Sequence, residues 1–447
     1  MNFEAVKASL VAEAERLEIQ EYDVFFMESE SRSTETLKDE ISSFSCGVSG
    51  GVAFRCVVDG HMGCASTECL TEEEMKALVC RAFDNAKNLE SKDEAVIFEG
   101  SKEYPKVSAC DTNLPSTSDM KEVALALQKK TYAESESVTD GTQSGVFAER
   151  FSMSFLNSRG LSLSHSAGVG GAYVQAVVHQ NGESQSAFDF CVGVGDADTE
   201  NLPKRVVEEA LAELGAKEIE SGRYDVILCG KQMRAMLSAF SSVFSAKNAQ
   251  LGLSLFRDKE GQTVAAECVT LVDDPLREDC PMKIPFDGEG VATYRKNVIE
   301  RGVLGTLLYD LATAKKKGIP STGNGLRGGY AEAVSIRPYS FYFEPGTETR
   351  DELFAALGNG LYITELKGLH AGANAVTGDF SIESAGFMIR DGKKAEAIRS
   401  FTIAGNFFEF LKNIERMGDT VHFGMPGSFT VYGSPDVLIR NVSVAGK

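Results

Sequence analysis

Tryptophan is absent from this 447-residue chain, and histidine is scarce, with only five. They stand at His61, His165, His179, His370 and His422, and no two lie within five residues of one another. HExxH and HExxxH, which set two imidazoles on one helical face for zinc, are therefore both missing. The ten cysteines include no CxxC pair, which excludes a zinc-ribbon or thioredoxin-like signature. Most of them sit in apolar segments such as Phe54-Arg-Cys56-Val-Val and Ile227-Leu-Cys229, where a reduced thiol acts as a small hydrophobe. Basic residues are also in deficit, with 45 Lys and Arg against 65 Asp and Glu, a formal net charge of -20. A nucleic-acid binder needs a basic face to displace counterions from phosphates, so no nucleic-acid partner is expected. An anionic membrane surface is disfavoured for the same reason. No run approaches 18 uncharged apolar residues, so no membrane span is expected. Met1 to Gln20 carries Val6, Leu10, Val11, Ala14 and Leu17 at helical spacing between glutamates, unlike a secretory signal. These absences point to a reducing, cytoplasmic setting.

What is present is a 43% apolar composition, ample for a packed core. The charge is uneven: residues 1–220 hold 39 acidic and 19 basic side chains, whereas residues 221–447 hold 26 of each. Glycine leans the other way, with 16 before residue 221 and 27 after. The chain thus reads as an acidic N-terminal unit over 1–220, with a sub-boundary near 101–118, and a C-terminal unit over 221–447. Within the first, Tyr22–Glu28 alternates like a strand. Glu35–Cys46 and Val52–Asp59 read as a hairpin turning at Gly47-Val-Ser-Gly-Gly51. Thr71 and Glu74 form a capping box before a helix through Met75, Leu78, Val79 and Ala82. Another helix is expected near 119–135, then strands over 147–157, 161–165, 172–179 and 187–194, and a helix entered at Pro203. The second unit opens with a buried-type strand, Tyr224–Cys229, and a helix through Met233, Met236, Leu237 and Phe240. Strands and glycine turns follow, including Thr263–Val272, Ala333–Phe343 and Val437–Val444, interrupted by a helix from Phe407 to Met417. The expected class is α+β: helices on antiparallel strands in the N-terminal domain, and a C-terminal domain dominated by antiparallel sheet.

Two motifs match on paper only. Gly323-Asn-Gly325-Leu-Arg-Gly328 fits GxGxxG, but Pro320-Ser-Thr precedes it and a strand-like segment follows. The dinucleotide fingerprint needs a strand before and a helix after, so a flexible loop or backbone platform is the better reading. Gly47-Val-Ser49-Gly-Gly51 fits GxSxG, yet it lies between strands rather than at a strand-to-helix elbow. No P-loop is present. The second half also carries polar-glycine clusters: Ser321–Asn324, His370–Asn374 with Thr377–Ser381, and Gly405-Asn406. Such runs form turns, and they are also the material of a peptide-binding cleft.

Several of these runs, taken in order, resemble the TldD/PmbA family, also called modulators of DNA gyrase. They are Val298–Tyr309, Ala312–Gly323, Gly372-Ala-Asn374, Thr377-Gly-Asp-Phe-Ser381, Gly386-Phe387, Ile403-Ala-Gly-Asn406 and Ile439–Gly446, with Gly50–Arg55 in the first half. The resemblance implies a cytosolic zinc-protease system acting on peptides, in leader-peptide removal and antitoxin turnover. In that family the catalytic TldD branch carries HExxxH early in the C-terminal domain and a Cys ligand near the end. The TldE/PmbA branch lacks the motif and pairs with the catalytic one. Here the corresponding helix reads Met236-Leu-Ser238-Ala239-Phe-Ser-Ser-Val243, so Ser238 and Val243 replace the histidines and Ala239 the glutamate. The late segment Val421-His422-Phe-Gly-Met-Pro-Gly427 has no Cys. The resemblance therefore implies a TldE/PmbA-like subunit with no metal of its own, and zinc in a TldD-like partner. Peptide contacts are expected at Asn374, Asp379, Ser381 and Asn406, with no catalytic residue in this chain. Two alternatives stay open. One is a stand-alone homodimeric peptidase using His370, Asp379 and His422. The other is a non-enzymatic peptide-binding protein.

Overall fold

A computed structural model describes residues 3–89, 95–107, 114–193, 198–280, 282–425 and 429–447. Cys110, part of the 101–118 segment and the end of the 421–427 segment lie outside the described residues.

The first half builds one six-stranded sheet. Its order is His61–Thr67, Glu40–Val58, Glu21–Leu37, Gln143–Asn157, Ser162–Gln180 and Glu183–Val192. Every neighbouring pair is antiparallel. Val24-Phe-Phe-Met27 is a continuous apolar run because this strand is buried on both faces. Val24 and Phe26 meet helices Phe3–Arg16 and Glu72–Asn88 through Leu10, Met75, Leu78 and Val79. Helices Thr117–Glu134 and Asp198–Ala212 cover the later strands through Leu127, Val206 and Val207. On the opposite face Phe25 and Met27, with Phe151, Met153 and Phe155, meet Met282, Ile284, Phe286 and Tyr339 of the second half.

Besides a two-stranded sheet, Gly325–Leu326 with Ser335–Ile336, the second half has two six-stranded sheets. In one, Lys393–Asn406, Asp379–Arg390, Gly360–Lys367, Gly222–Leu228 and Val437–Ala445 follow in order, with Ile414–Met417 at the end. Lys393–Asn406 also pairs with Val437–Ala445, which closes five of these strands on themselves. The other sheet runs Val303–Leu304, Lys296–Glu300, Leu271–Asp273, Ser340–Phe343, Val431–Ser434 and His422–Phe423. The ladders are antiparallel except for two parallel pairs, Gly360–Lys367 with Gly222–Leu228 and Ser340–Phe343 with Val431–Ser434. Helix Gly230–Phe240 packs against a strand of each six-stranded sheet, and its Phe240 stacks on Phe407 with centroids 4.4 Å apart. The α+β class expected from the sequence is what the chain adopts. No helix among the described residues is long and apolar enough to cross a membrane.

Several local expectations are corrected. The first hairpin turns at Lys38 and Asp39, both at positive φ, and the strand Glu40–Val58 runs straight through Gly47–Gly51. Gly51 is needed for close approach: a Cβ there would lie 2.5 Å from the Thr67 carbonyl and 2.6 Å from the Tyr330 ring. The two strands expected at 161–165 and 172–179 are likewise one, Ser162–Gln180. Thr71 caps its helix by accepting from the Glu74 N–H at 3.3 Å, but the Glu74 carboxylate turns to Arg81 at 2.7 Å, so the box is half made. The 263–272 run is extended only over Leu271–Asp273, because Val264 and Ala265 donate to the Gly302 carbonyl and Ala266 to that of Leu411. The 333–343 run breaks at Pro338, which cannot donate to a ladder. The helix from Phe407 stops at Lys412, and Ile414–Met417 pairs with the Val437–Ala445 strand instead. Ile414 and Met417 are spaced for a helix face, but an open strand edge claims them.

Candidate functional site

Three places bear on function. The first is the rim around the expected peptide contacts. Asp379 and Asn406 are directly paired across two strands. The Asn406 amide donates to the Thr377 carbonyl at 2.8 Å and to Asp379 Oδ1 at 2.9 Å, and its oxygen caps the next helix by accepting from Phe408 N–H. Those bonds from Asn406 and Thr377 hold the Asp379 carboxyl below its ordinary pKa. Asn374 Oδ1 accepts from Val376 and Thr377 N–H, an Asx-type turn. Three of the four residues are thus brought together, and both amides are engaged in turn and cap. Asp379 and Ser381 remain exposed to solvent.

The second place is the end of helix Gly230–Phe240, where the resemblance sets the expected zinc motif. Ser238 is exposed, Ala239 half-buried, and Val243 is 0% exposed in the core. The Tyr432 hydroxyl donates to Ser241 Oγ at 3.0 Å beside them. This donor set does not fit a zinc ion, since an isopropyl and a methyl group offer no lone pair. Among the described residues no three His, Cys, Asp or Glu side chains converge as metal ligands.

The third is a cleft of about 680 Å³ between the halves. One wall is the strand end Asp189–Val192 with Arg205, Glu208 and Glu209; the other comes from Cys229–Lys231, Arg234, Arg350, Tyr362, His422 and Asp436. Helix Gly230–Phe240 opens into it. Its N-cap, Cys229, makes no side-chain cap, and Asp436 serves instead by accepting from Gly230 N–H at 2.7 Å. Residue 230 is glycine because a Cβ would meet the Ser434 carbonyl at 2.4 Å and the His422 ring at 2.6 Å. Asp436 also accepts from Arg350 Nε at 2.6 Å and lies 4.0 Å from His422 Nε2. Burial lowers the His422 pKa, and Arg350, Arg234 and Lys231 add to that against Asp436, so the ring is neutral at pH 7. Burial pushes the Cys229 thiol up to about 12, which removes it as a nucleophile. The cleft therefore offers binding groups rather than an activated nucleophile. Of the alternative trio only His422 lines it; His370 is exposed in the short helix Leu369–Gly372, and Asp379 belongs to the rim.

The GxGxxG run proves to be neither a loop platform nor a nucleotide turn. Asn324 is fully buried, donating to Asp273 Oδ2 at 2.7 Å, and Gly325 N–H donates to Asp287 at 2.9 Å. Arg327 crosses to Asp23 of the first sheet at 3.1 Å. Sequence reasoning missed Arg234, Arg350, Tyr362 and Asp436. The one signal that could have pointed there is the alternation of Phe188, Phe190 and Val192, of which Phe190 and Val192 line the cleft.

Comparison with known proteins fits this architecture. Residues 221–446 match the PmbA/TldA metallopeptidase C-terminal domain, 111–214 its central domain and 22–86 its domain 1. A metalloprotease of Methanothermobacter thermautotrophicus is 30% identical over 311 residues, 66% of this chain and 67% of that one. A Thermotoga maritima protein described as a modulator of a DNA gyrase is similar in structure, with a TM-score of 0.88 at 28% identity, covering 99% of this chain and 100% of that one. TldE from Thermococcus kodakarensis shares the fold, with a TM-score of 0.91 at 22% identity over 99% of this chain and 100% of that one. With the C-terminal domain alone matching more than half its length, the chain belongs to the PmbA/TldD metallopeptidase family.

Proposed function

We propose that this chain is the TldE/PmbA-type, non-catalytic subunit of a two-component cytoplasmic metallopeptidase acting on unfolded peptides. The observation that carries this is Val243, a family ligand position filled by an aliphatic side chain packed into the core, next to Ser238 and Ala239. Hydrolysis then belongs to a TldD-like partner carrying HExxxH and zinc, while this chain helps hold the peptide. Exposed Asp379 and Ser381, braced by Asn374 and Asn406, are the rim contacts. The experiment is to measure bound zinc and peptidase activity on an unfolded polypeptide, for the chain alone and mixed with such a partner. Activity only in the mixture, with the chain alone free of zinc, is expected. Stoichiometric zinc and activity in the chain alone would refute the reading.

A further inference from the structure

An open sheet edge runs into the cleft. Among the described residues, strand Glu183–Val192 is last in its sheet and pairs on one side only, with Ser162–Gln180. Gly193 N–H reaches back to the Gly170 carbonyl at 2.6 Å. By strand alternation the backbone N–H and C=O groups of Phe188, Phe190 and Val192 then point outward, away from the sheet. Their side chains share one face. Phe188 and Val192 are 47% and 40% exposed, whereas the alternate Ala187 and Cys191 are buried beneath the helices. Natural sheets cover or charge such an edge, so an apolar one beside a cavity is a template for a further strand.

Beside this edge sits a cation that no carboxylate among the described residues pairs with directly. Arg234 is half-buried, donates to the Phe423 carbonyl at 2.5 Å and lies over Phe190 at 5.8 Å. Among the described residues no carboxylate forms an ion pair with it. The nearby Asp189 is engaged by Lys231 at 3.5 Å and Arg205 at 3.3 Å, and Asp436 by Arg350. A guanidinium with free donors in a partly desolvated cleft is matched by a planar anion.

We propose that this cleft binds an extended peptide with a free C-terminal carboxylate, its backbone added as a strand to Phe188–Val192 and its carboxylate held by Arg234. This rests on the reading of the chain as a peptide-handling subunit, and adds where the peptide lies and which end is recognised. Apolar peptide side chains would rest on Phe188 and Val192.

The test uses the full chain and a fluorescein-labelled octapeptide of alternating Val and Ser, made as free acid and as amide. Fluorescence anisotropy should show the acid binding about tenfold or more tightly than the amide, the worth of one charge-assisted hydrogen bond. Arg234→Gln should abolish that preference. Val192→Pro, which removes one outward N–H from the edge while sparing the inward ladder, should weaken both peptides alike. Equal binding of acid and amide by the wild-type chain, which needs no variant to fold, would overturn the carboxylate site. So would an acid preference that survives Arg234→Gln. Binding of neither peptide would overturn the docking edge as well. The lone chain suffices, so failure here leaves the zinc and activity test of the subunit role standing on its own.

Discussion

The two halves are joined by a buried set of charges, and removing one of them has a calculable cost. Asp23 is 1% exposed and accepts from Arg55 Nε at 3.0 Å and from Arg327 Nη2 at 3.1 Å. Arg55 also lies 3.6 Å from Glu289 of the second half. Within ion-pair distance the site thus holds two guanidiniums and two carboxylates shielded from water. Asp23→Asn keeps the shape and leaves two buried cations with one anion. Breaking one member of such a set costs about 3–5 kcal/mol, because the orphaned charge stays desolvated. Adding Arg327→Met removes the surplus cation and restores a one-to-one pairing of Arg55 with Glu289. The double variant should therefore be more stable than Asp23→Asn alone, although it lacks more hydrogen bonds. Urea unfolding followed by circular dichroism measures both. If Asp23→Asn loses less than about 1 kcal/mol, or if the double variant is the weaker of the two, charge balance is not what holds this junction.

Two further outcomes follow from geometry and titration. Gly63 lies where strand His61–Thr67 touches helix Glu72–Asn88, and a Cβ there would stand 2.1 Å from the Ala82 carbonyl and 2.4 Å from Ala86 N. Gly63→Ala should cost about 1–3 kcal/mol by forcing the strand off the helix, read as a lower urea midpoint at unchanged slope. Burial, reinforced by Glu365 and Glu209, raises the Glu213 pKa from 4.5 to about 7. A carboxyl raised in the folded state contributes stability fully below its unfolded value and loses it as pH rises through about 7. Glu213→Gln should therefore gain on the wild type in melting temperature between pH 5 and pH 8; a constant difference across that range would contradict the assignment.

The fold was legible wherever local chemistry decided it. Thr71, Ser116 and Asp310 each cap a helix through the N–H three residues on, a signal contained in four residues. The strand expected over Tyr22–Glu28 formed, but as a stretch buried on both faces over Val24–Met27 rather than an alternating one. Glycine was the misleading letter: Gly51 and Gly171 mark close approaches inside long strands, the latter with a would-be Cβ 2.2 Å from the Cys191 carbonyl. The real turn used Lys38-Asp39, which nothing in composition favours at positive φ. Contacts of high separation were invisible in principle. Asp23 and Arg327 are 304 residues apart, and the cleft draws on segments near 190, 230, 350, 422 and 436.

This division explains why the resemblance identifies a fold more firmly than a chemistry. The family-like run ending at Gly323 is spent on structure: Asp310 caps helix Leu311–Lys317, Gly318 closes it at φ 75°, and Thr322 Oγ1 ties back to Tyr309 N–H at 2.7 Å. The Thr377–Ser381 and Gly405-Asn406 runs form a turn, a strand pair and a helix cap. Residues of this kind are required whatever the protein catalyses, because they set where the backbone goes. Chemistry is decided at side chains that the backbone merely presents. At the positions where the resemblance sets the zinc motif stand a hydroxyl, a methyl and a buried isopropyl group, whereas the neighbouring cleft presents Arg234, which pairs with no carboxylate among the described residues, beside a strand edge. The shared runs account for the shared scaffold, and Arg234, Arg350 and Asp436 of the cleft all fall outside them.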